Sequence, residues 1–519
     1  MNQNKIDQLL DEALTLHHEG KLEKADSIYK KILKTDENNF QANHLHGCVL
    51  SQNSNFDEAI IFLIKSVKIN PDNYEANNNL GIAYKNTKAF SLAEKHFKKS
   101  IEIDKNNYKA YFNCANLYID NDKYDQAIIY LEKVLKNDTN FAEALHRLGE
   151  VYQYKYQKDR NKKYLIESEK YFKESIKRDN EYVDSYLMLA MNYLWLGNIK
   201  MADKYFKTVL KLNISNEEYV NKNINEFMSD DKSISSLIKH EYEQLTFIDN
   251  DTDDIRNPKF TKTYYEQLSQ LHEKLKTNSL KYAAVPLNFK KNLFKILYNK
   301  APRISHQNLL NQKNDISSLE STYLESSPEL IVIDNFLEES ALNDLQKFCR
   351  NANIFKQPYN GGYLAAFLSK GLSNEFILKL SEDLRLTYKK IFQELRLTQA
   401  WIFKYDSNME GTKIHADQAS INVNFWISPD DANLDRNGGG LKIWDEIPPK
   451  NWGFDSYNSL DASSKIQKIL DDNNVKPQFV PYKENRAVIF NSKLFHATDN
   501  FNFKDSYENR RINVTFLYD

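Results

Sequence analysis

Residues 74–107, YEANNNLGIAYKNTKAFSLAEKHFKKSIEIDKNN, decide how the first half of this chain folds, because their small residues return elsewhere at one spacing. Ala42, Ala76, Ala110 and Ala144 stand 34 apart, as do Gly47, Gly81, Ala115 and Gly149, and Ala25, Ala59, Ala93 and Ala127. A fixed period of that length signals a stack of like units, each a pair of helices. Gly81 and Ala93 are expected where the two helices of one unit cross, since a larger side chain would push them apart. Tyr84 and Phe97 then fill the space between neighbouring units, and Pro71 ends its helix where the chain must turn.

Working outward, six units begin near Ile6, Phe40, Tyr74, Tyr108, Ala142 and Asp184. Over residues 6–213 this pattern resembles the tetratricopeptide repeat. The fifth unit departs from it: YQYKYQKDRNKKYLIES, residues 152–168, inserts about seven residues between its helices. Basic and aromatic residues mixed in this way suit RNA stacking, but lengthened, solvated helices are the simpler reading. NEEYVNKNINEFMSDDKSISSLIKHEYEQL, residues 216–245, is expected to supply the capping helix, so residues 1–245 read as a repeat solenoid. Stacked helix pairs make a curved groove for a protein or an extended peptide, which is the expected partner; they supply no chemistry of their own.

The 519 residues carry 70 basic and 72 acidic side chains, a formal net charge of −2, so no nucleic-acid or membrane-surface partner is expected. At 41% hydrophobic and 13% aromatic, the composition is ample for packed cores. No run of eighteen apolar residues occurs, and MNQNKIDQLLDEALTLHHEG lacks the apolar core of a signal peptide. Cys48, Cys114 and Cys349 are far apart and odd in number, which suggests buried thiols in a reducing compartment, with no disulfide framework or thiolate cluster. The cytoplasm is the expected location.

TFIDNDTDDIRNP, residues 246–258, is acidic and broken by Pro258, and reads as the start of a connector, 246–324. Its helices include TKTYYEQLSQLHEKLKTN (261–278) and FKKNLFKILYNK (289–300). Leu330–Ile333 then reads as a short buried strand, followed by a helix with Leu342, Leu345 and Phe348 on one face. From Trp401 the pattern turns strand-like, in AWIFKYD, SINVNFWIS, GGGLKIW, RAVIFNS and RRINVTFLYD. Short β segments divided by Gly, Pro, Asn and Asp suggest a jelly-roll, or double-stranded β-helix, over 325–519, with the helices before Trp401 outside it. The expected class is thus multidomain α and β.

Within TKIHADQAS, residues 412–420, strand alternation puts His415 and Asp417 on one face. Alone, such a pair is a weak signal, and a solvated strand edge or turn is the readier reading. Of eleven histidines only His415 and His496 follow His306, each at a strand end, the second in NRAVIFNSKLFHATDNF. Two imidazoles and one carboxylate can occupy one side of an Fe(II) ion and leave its other positions open, whereas structural zinc usually takes four protein ligands. RINVTF, residues 511–516, puts Arg511, Asn513 and Thr515 on one face and Ile512, Val514 and Phe516 on the other. The polar face reads either as solvated or as a guanidinium clamp for a carboxylate.

The ordered set His415-x-Asp417, His496, Arg511 resembles the iron- and 2-oxoglutarate-dependent oxygenases. FKYDSNMEGTKIHAD is similar to the Tyr…Gly…His-x-Asp stretch of their prolyl 4-hydroxylase-like branch, and RINVTF to the Arg-x-Asn-x-Thr-Phe strand of the alkylation-repair branch. GGGLKIW corresponds to a Gly-Gly strand between the metal motifs. This resemblance covers roughly 325–519. It implies that His415, Asp417 and His496 are the catalytic metal ligands for Fe(II). It also implies that Arg511, with Tyr405 and Asn513, binds 2-oxoglutarate as cosubstrate, and that ascorbate is a candidate auxiliary.

Two departures matter: a Lys about ten residues after the second histidine is usual in prolyl 4-hydroxylases, and here Arg511 comes 15 residues after His496; nor is there the basic surface of a repair enzyme. Prolyl and nucleic-acid specificity therefore do not carry over. Hydroxylation of a protein or peptide side chain presented by the solenoid is the first reading. A small metabolite, saccharide or lipid precursor, with the solenoid for docking, is the alternative, and a non-catalytic scaffold the third. Asn422, Asn424 and Trp426 share a strand face that either lines the lumen or points outward. LKIWDEIPPKNWGF reads as a wall or lid.

Overall fold

The computed structural model describes residues 3–250, 262–295, 300–302, 308–359, 361–407, 411–458 and 462–519. Pro258, the end of FKKNLFKILYNK at 296–299, and residues 408–410 before the His-x-Asp motif lie outside them. The chain forms two compact units, 1–185 and 186–519.

The repeat pattern becomes helix pairs: α1 (Gln3–His18) with α2 (Leu22–Leu33), α3 (Phe40–Gln52) with α4 (Phe56–Ile69), and α5 (Tyr74–Asn86) with α6 (Phe90–Ile103). α7 (Tyr108–Ile119) with α8 (Tyr124–Asn137), α9 (Ala142–Asp159) with α10 (Lys163–Arg178), and α11 (Val183–Trp195) with α12 (Ile199–Ser215) follow. Asn39, Asn73 and Asn107 cap α3, α5 and α7 by accepting from the backbone N–H three residues on, so the cap recurs with the repeat. A Cβ on Gly81 would lie 2.6 Å from the Phe97 ring, which explains the small residue at the crossing. Phe97 is buried in a cluster that runs on to Leu148 and Val151, whereas Tyr84 is partly buried at its edge. The inserted residues of the fifth unit lengthen α9 to 18 residues, ending at Arg160 in a left-handed conformation.

The second unit begins within the sixth pair. Trp195 Nε1 donates to the Leu397 carbonyl at 2.8 Å. α13 (Glu217–Phe227), α14 (Asp231–Asn250), α15 (Lys262–Lys276) and α16 (Leu287–Phe294) follow. The stretch expected to cap the solenoid supplies α13 and α14, and α14 makes its charged contacts inside this unit. Glu243 pairs with Arg510 at 2.6 Å, Lys239 with Asp406 at 3.0 Å and Glu241 with Lys356 at 2.8 Å. Amphipathic spacing identifies such a helix without identifying the surface it covers.

α17 (Ile316–Glu325), β1 (Leu330–Ile333), α18 (Glu339–Asn351), β2 (Gln357–Tyr359), β3 (Tyr363–Phe367), α19 (Glu375–Thr387), α20 (Lys389–Phe392), β4 (Leu397–Tyr405), β5 (Ile421–Trp426) and β6 (Leu441–Ile443) come next. α21 (Phe454–Asn458), α22 (Ala462–Asp472), β7 (Gln478–Val480), β8 (Ala487–Asn491), β9 (His496–Thr498) and β10 (Ile512–Tyr518) complete the chain. Among the described residues the strands form a seven-stranded sheet, β1-β8-β5-β10-β4-β3-β2, and a three-stranded sheet, β7-β6-β9, antiparallel throughout.

β2 and β3 precede Trp401, where beyond Leu330–Ile333 only helices were expected; Pro358 confines β2 to the sheet edge, and the alanines of YLAAF hide β3. One face of the large sheet is apolar apart from the buried Lys404 and meets helices, as where the Tyr518 hydroxyl donates to the Ser381 carbonyl of α19 at 2.7 Å. The other carries aligned rows, Asn513 opposite Phe403 and Trp426, and Thr515 opposite Trp401 and Asn424. These rows face the site.

Candidate metal centre

Paired backbone hydrogen bonds set the two histidines opposite each other: His415 N donates to the His496 carbonyl at 3.1 Å, and His496 N to the His415 carbonyl at 2.9 Å. Asp417 N donates to the Ser492 carbonyl at 3.1 Å, which fixes the carboxylate beside them. Gly411 approaches this hairpin at φ +74°, where a Cβ would lie 2.7 Å from Thr498, so that position of the motif needs glycine twice over. One ligand atom from each of His415, Asp417 and His496 lies within 4.8 Å of the others.

The donor set suits a divalent transition ion. His415 Nδ1 lies 2.7 Å from the Lys413 carbonyl and His496 Nδ1 2.9 Å from that of Leu494. A carbonyl only accepts, so Nδ1 carries a proton on each ring and Nε2 is the atom left to ligate, that of His496 facing Asp417 Oδ2 at 3.4 Å. Burial, reinforced by the neighbouring His496 ring, pushes the His415 imidazole down to about 4 against the pull of Asp417. It is therefore neutral near pH 7, as ligation requires. Burial raises the Asp417 carboxyl, but the His496 hydrogen bond, the histidine charges and the Asn422 amide outweigh it, so the shift is downward. Asn422 Nδ2 donates to Asp417 Oδ2 at 2.8 Å and orients it.

Arg511 opens onto the same pocket, about 330 Å³ with its mouth, small for a ligand site. It is 1% exposed, with Nε donating to the Gly439 carbonyl at 2.8 Å and its guanidinium carbon 4.6 Å from the Tyr405 ring centre. Among the described residues it forms no ion pair, and Nη1 is buried without a partner. Burial raises the Tyr405 hydroxyl and lowers Arg511, each moderated by the other. Thr412 and Thr498, whose hydroxyls are 2.6 Å apart, join Tyr405 in the pocket.

Every residue the sequence singled out for metal or cosubstrate therefore lines one pocket: His415, Asp417, His496, Arg511, Tyr405 and Asn513. Asn422 and Asn424 line it too, while Trp426 is buried against Tyr482 at 5.6 Å between ring centres. Thr412 and Thr498 were missed; their signal was placement three residues before one histidine and two after the other. Trp444 and Trp452 pack against Ala416 and Phe495, forming a wall beside the His-x-Asp turn.

Tetratricopeptide-repeat family models match residues 40–73, 87–150 and 183–214. The N-terminal region thus carries tetratricopeptide repeats, a protein-interaction module. No curated protein matches the sequence significantly. Solved structures similar to part of the chain include MamA residues 41 to the end from Desulfovibrio magneticus RS-1, 19% identical, covering 34% of this chain and 97% of that one at a TM-score of 0.31. Another is PilW, a type IV pilus biogenesis factor, 21% identical over 43% of this chain and 99% of that one, TM-score 0.38. YrrB, a tetratricopeptide protein with an unusual peptide-binding site, is 15% identical over 37% and 94%, TM-score 0.29. Among the described residues no helix is long and apolar enough to cross a membrane.

Proposed function

We propose that residues 325–519 form a double-stranded β-helix oxygenase that uses Fe(II) and 2-oxoglutarate to hydroxylate a protein or peptide side chain, with the repeats recruiting the protein that carries it. One observation carries this reading. A guanidinium buried without a carboxylate shares a pocket with a His-Asp-His cluster. A buried cation that forms no ion pair is costly unless an anion completes it.

His415, Asp417 and His496 would hold the metal, which with 2-oxoglutarate supplies oxidation of an unactivated C–H bond by O2. Arg511 Nη1 is the donor available to the far carboxylate of the dianion, and the Tyr405 and Thr498 hydroxyls stand beside it. Asn422 holds Asp417 in orientation, and the Trp444 wall restricts water at the His-x-Asp turn. The test is succinate formed from 2-oxoglutarate by iron-loaded protein, with and without Asp417→Ala. Turnover lost in the variant supports the reading; no turnover and no metal binding by the parent chain refutes it.

A further inference from the structure

We infer that the pocket is divided by hydrogen-bond polarity, so that its asparagine side selects a target side chain that donates N–H or O–H bonds; this rests on the oxygenase reading above. Asn422 is 0% exposed, and its Nδ2 must face Asp417 because a carboxylate only accepts. Its Oδ1 therefore points away, and it is buried without a partner. Asn424 and Asn513, each 5% exposed, both approach the Thr515 hydroxyl through Nδ2 at 3.2 Å. That hydroxyl has one proton, so it could serve at most one amide turned the other way. At least one of the two presents its carbonyl oxygen, and both Oδ1 atoms are buried unpartnered.

With the Asn513 amide turned to the cosubstrate, Asn424 is the one that presents its oxygen, and the pocket holds an unsatisfied donor at Arg511 and unsatisfied acceptors at Asn422 and Asn424. The 2-oxoglutarate dianion has no hydrogen to donate, so it matches Arg511 and cannot satisfy Asn422 or Asn424. The matching substrate group is a carboxamide, guanidinium or hydroxyl beside the reacting carbon. A pyrrolidine ring or a carboxylate would leave the same oxygens buried and unpaired, the costly case.

The test uses the full chain loaded with Mn(II), whose paramagnetism broadens the NMR lines of nearby small molecules, with 2-oxoglutarate bound. Propionamide and propionate are the probes. Propionamide should be broadened and propionate not; the effect should fall at least about fivefold in Asn424→Leu and persist in Asn424→Asp, which keeps the acceptors. Calorimetric affinity for 2-oxoglutarate should stay within about twofold of the parent in Asn424→Leu. Equal broadening of both probes, none of propionamide, or broadening unchanged in Asn424→Leu overturns the inference. A larger loss of 2-oxoglutarate affinity in that variant also overturns it, by assigning the amide to the cosubstrate. A parent chain that binds neither Mn(II) nor 2-oxoglutarate removes the oxygenase reading and this inference together, a result distinct from the others.

Discussion

Arg510 and Arg511, adjacent in the chain, serve opposite sides of the large sheet. Arg511 donates to the Gly439 carbonyl at 2.8 Å within the pocket, while Arg510 reaches Glu243 of α14 at 2.6 Å. Alternation along β10 separates them, since Arg511 continues the row of Asn513 and Thr515. One guanidinium keeps an unpartnered Nη1 in the pocket and the other ties a helix to the sheet.

Substitution should separate these roles. Arg511→Ala is expected to weaken 2-oxoglutarate by about 2–4 kcal/mol, roughly thirty- to a thousand-fold, with little loss of stability. Arg510→Ala should leave that affinity nearly unchanged and lower unfolding free energy by about 2 kcal/mol, because it leaves a partly buried Glu243 with only Lys239, 3.9 Å away. Succinate formation against 2-oxoglutarate concentration, beside urea denaturation, measures both; a larger rise in KM for Arg510→Ala would reverse the assignment.

Metal affinity should be graded by distance from the ion. Asp417→Ala should lose most bound Fe(II), and Asn422→Leu, which only frees Asp417 to turn, about 10–100-fold in affinity. Competition with a chelator resolves the two. Full iron content in Asp417→Ala would exclude the site.

Acid should weaken the fold before carboxylates titrate. His240 is buried, and burial, with Lys404, Arg510 and Lys356 nearby, holds its imidazole well below the ordinary 6.5. The unfolded chain therefore takes up this proton first. The stability it contributes is complete above pH 6.5 and is lost as pH falls, by up to about 1.4 kcal/mol per unit. His240→Phe, which also removes the unpartnered Nε2, should flatten that slope below pH 6.5. An unchanged slope in denaturation series from pH 7 to 5 would rule the linkage out.

Gly440→Ala should damage the pocket from the small sheet. A Cβ there would collide with the Val480 carbonyl, so β6 and β7 must separate. The carbonyls of Gly439 and Gly440, which face Arg511, move with them. The expected result is a loss of about 1–3 kcal/mol in stability with a weakened response to 2-oxoglutarate; a fully stable variant would contradict the packing.

Residues 1–185 should fold alone, since stacked repeats depend on their neighbours and the compact unit ends there. Circular dichroism should show a helical fragment, and Gly81→Val within it should cost about 1–3 kcal/mol by displacing Phe97. A fragment without helix would overturn the division.

Much of this was legible in the chain. The 34-residue spacing of alanine and glycine marked the helices from α2 to α9, because close helix crossings tolerate little else. Alternation in RINVTF put Arg511 on the face of Asn513, since a strand has only two faces. β2 and β3 were not legible, because an edge strand with a proline and an alanine-rich neighbour carry no β signal.

By itself the sequence determined the local geometry: periods, caps, alternation and which residue types are available to bind a metal or an anion. Tertiary structure alone decided the rest. It put α14 against Arg510 and Asp406, where amphipathic spacing left the partner open. It also brought Asn422 onto Asp417 and left its oxygen unpaired. The physical reason is range: backbone sterics and helix or strand period act over a few residues, whereas hydrogen-bond satisfaction depends on which distant groups packing brings within 3 Å or so.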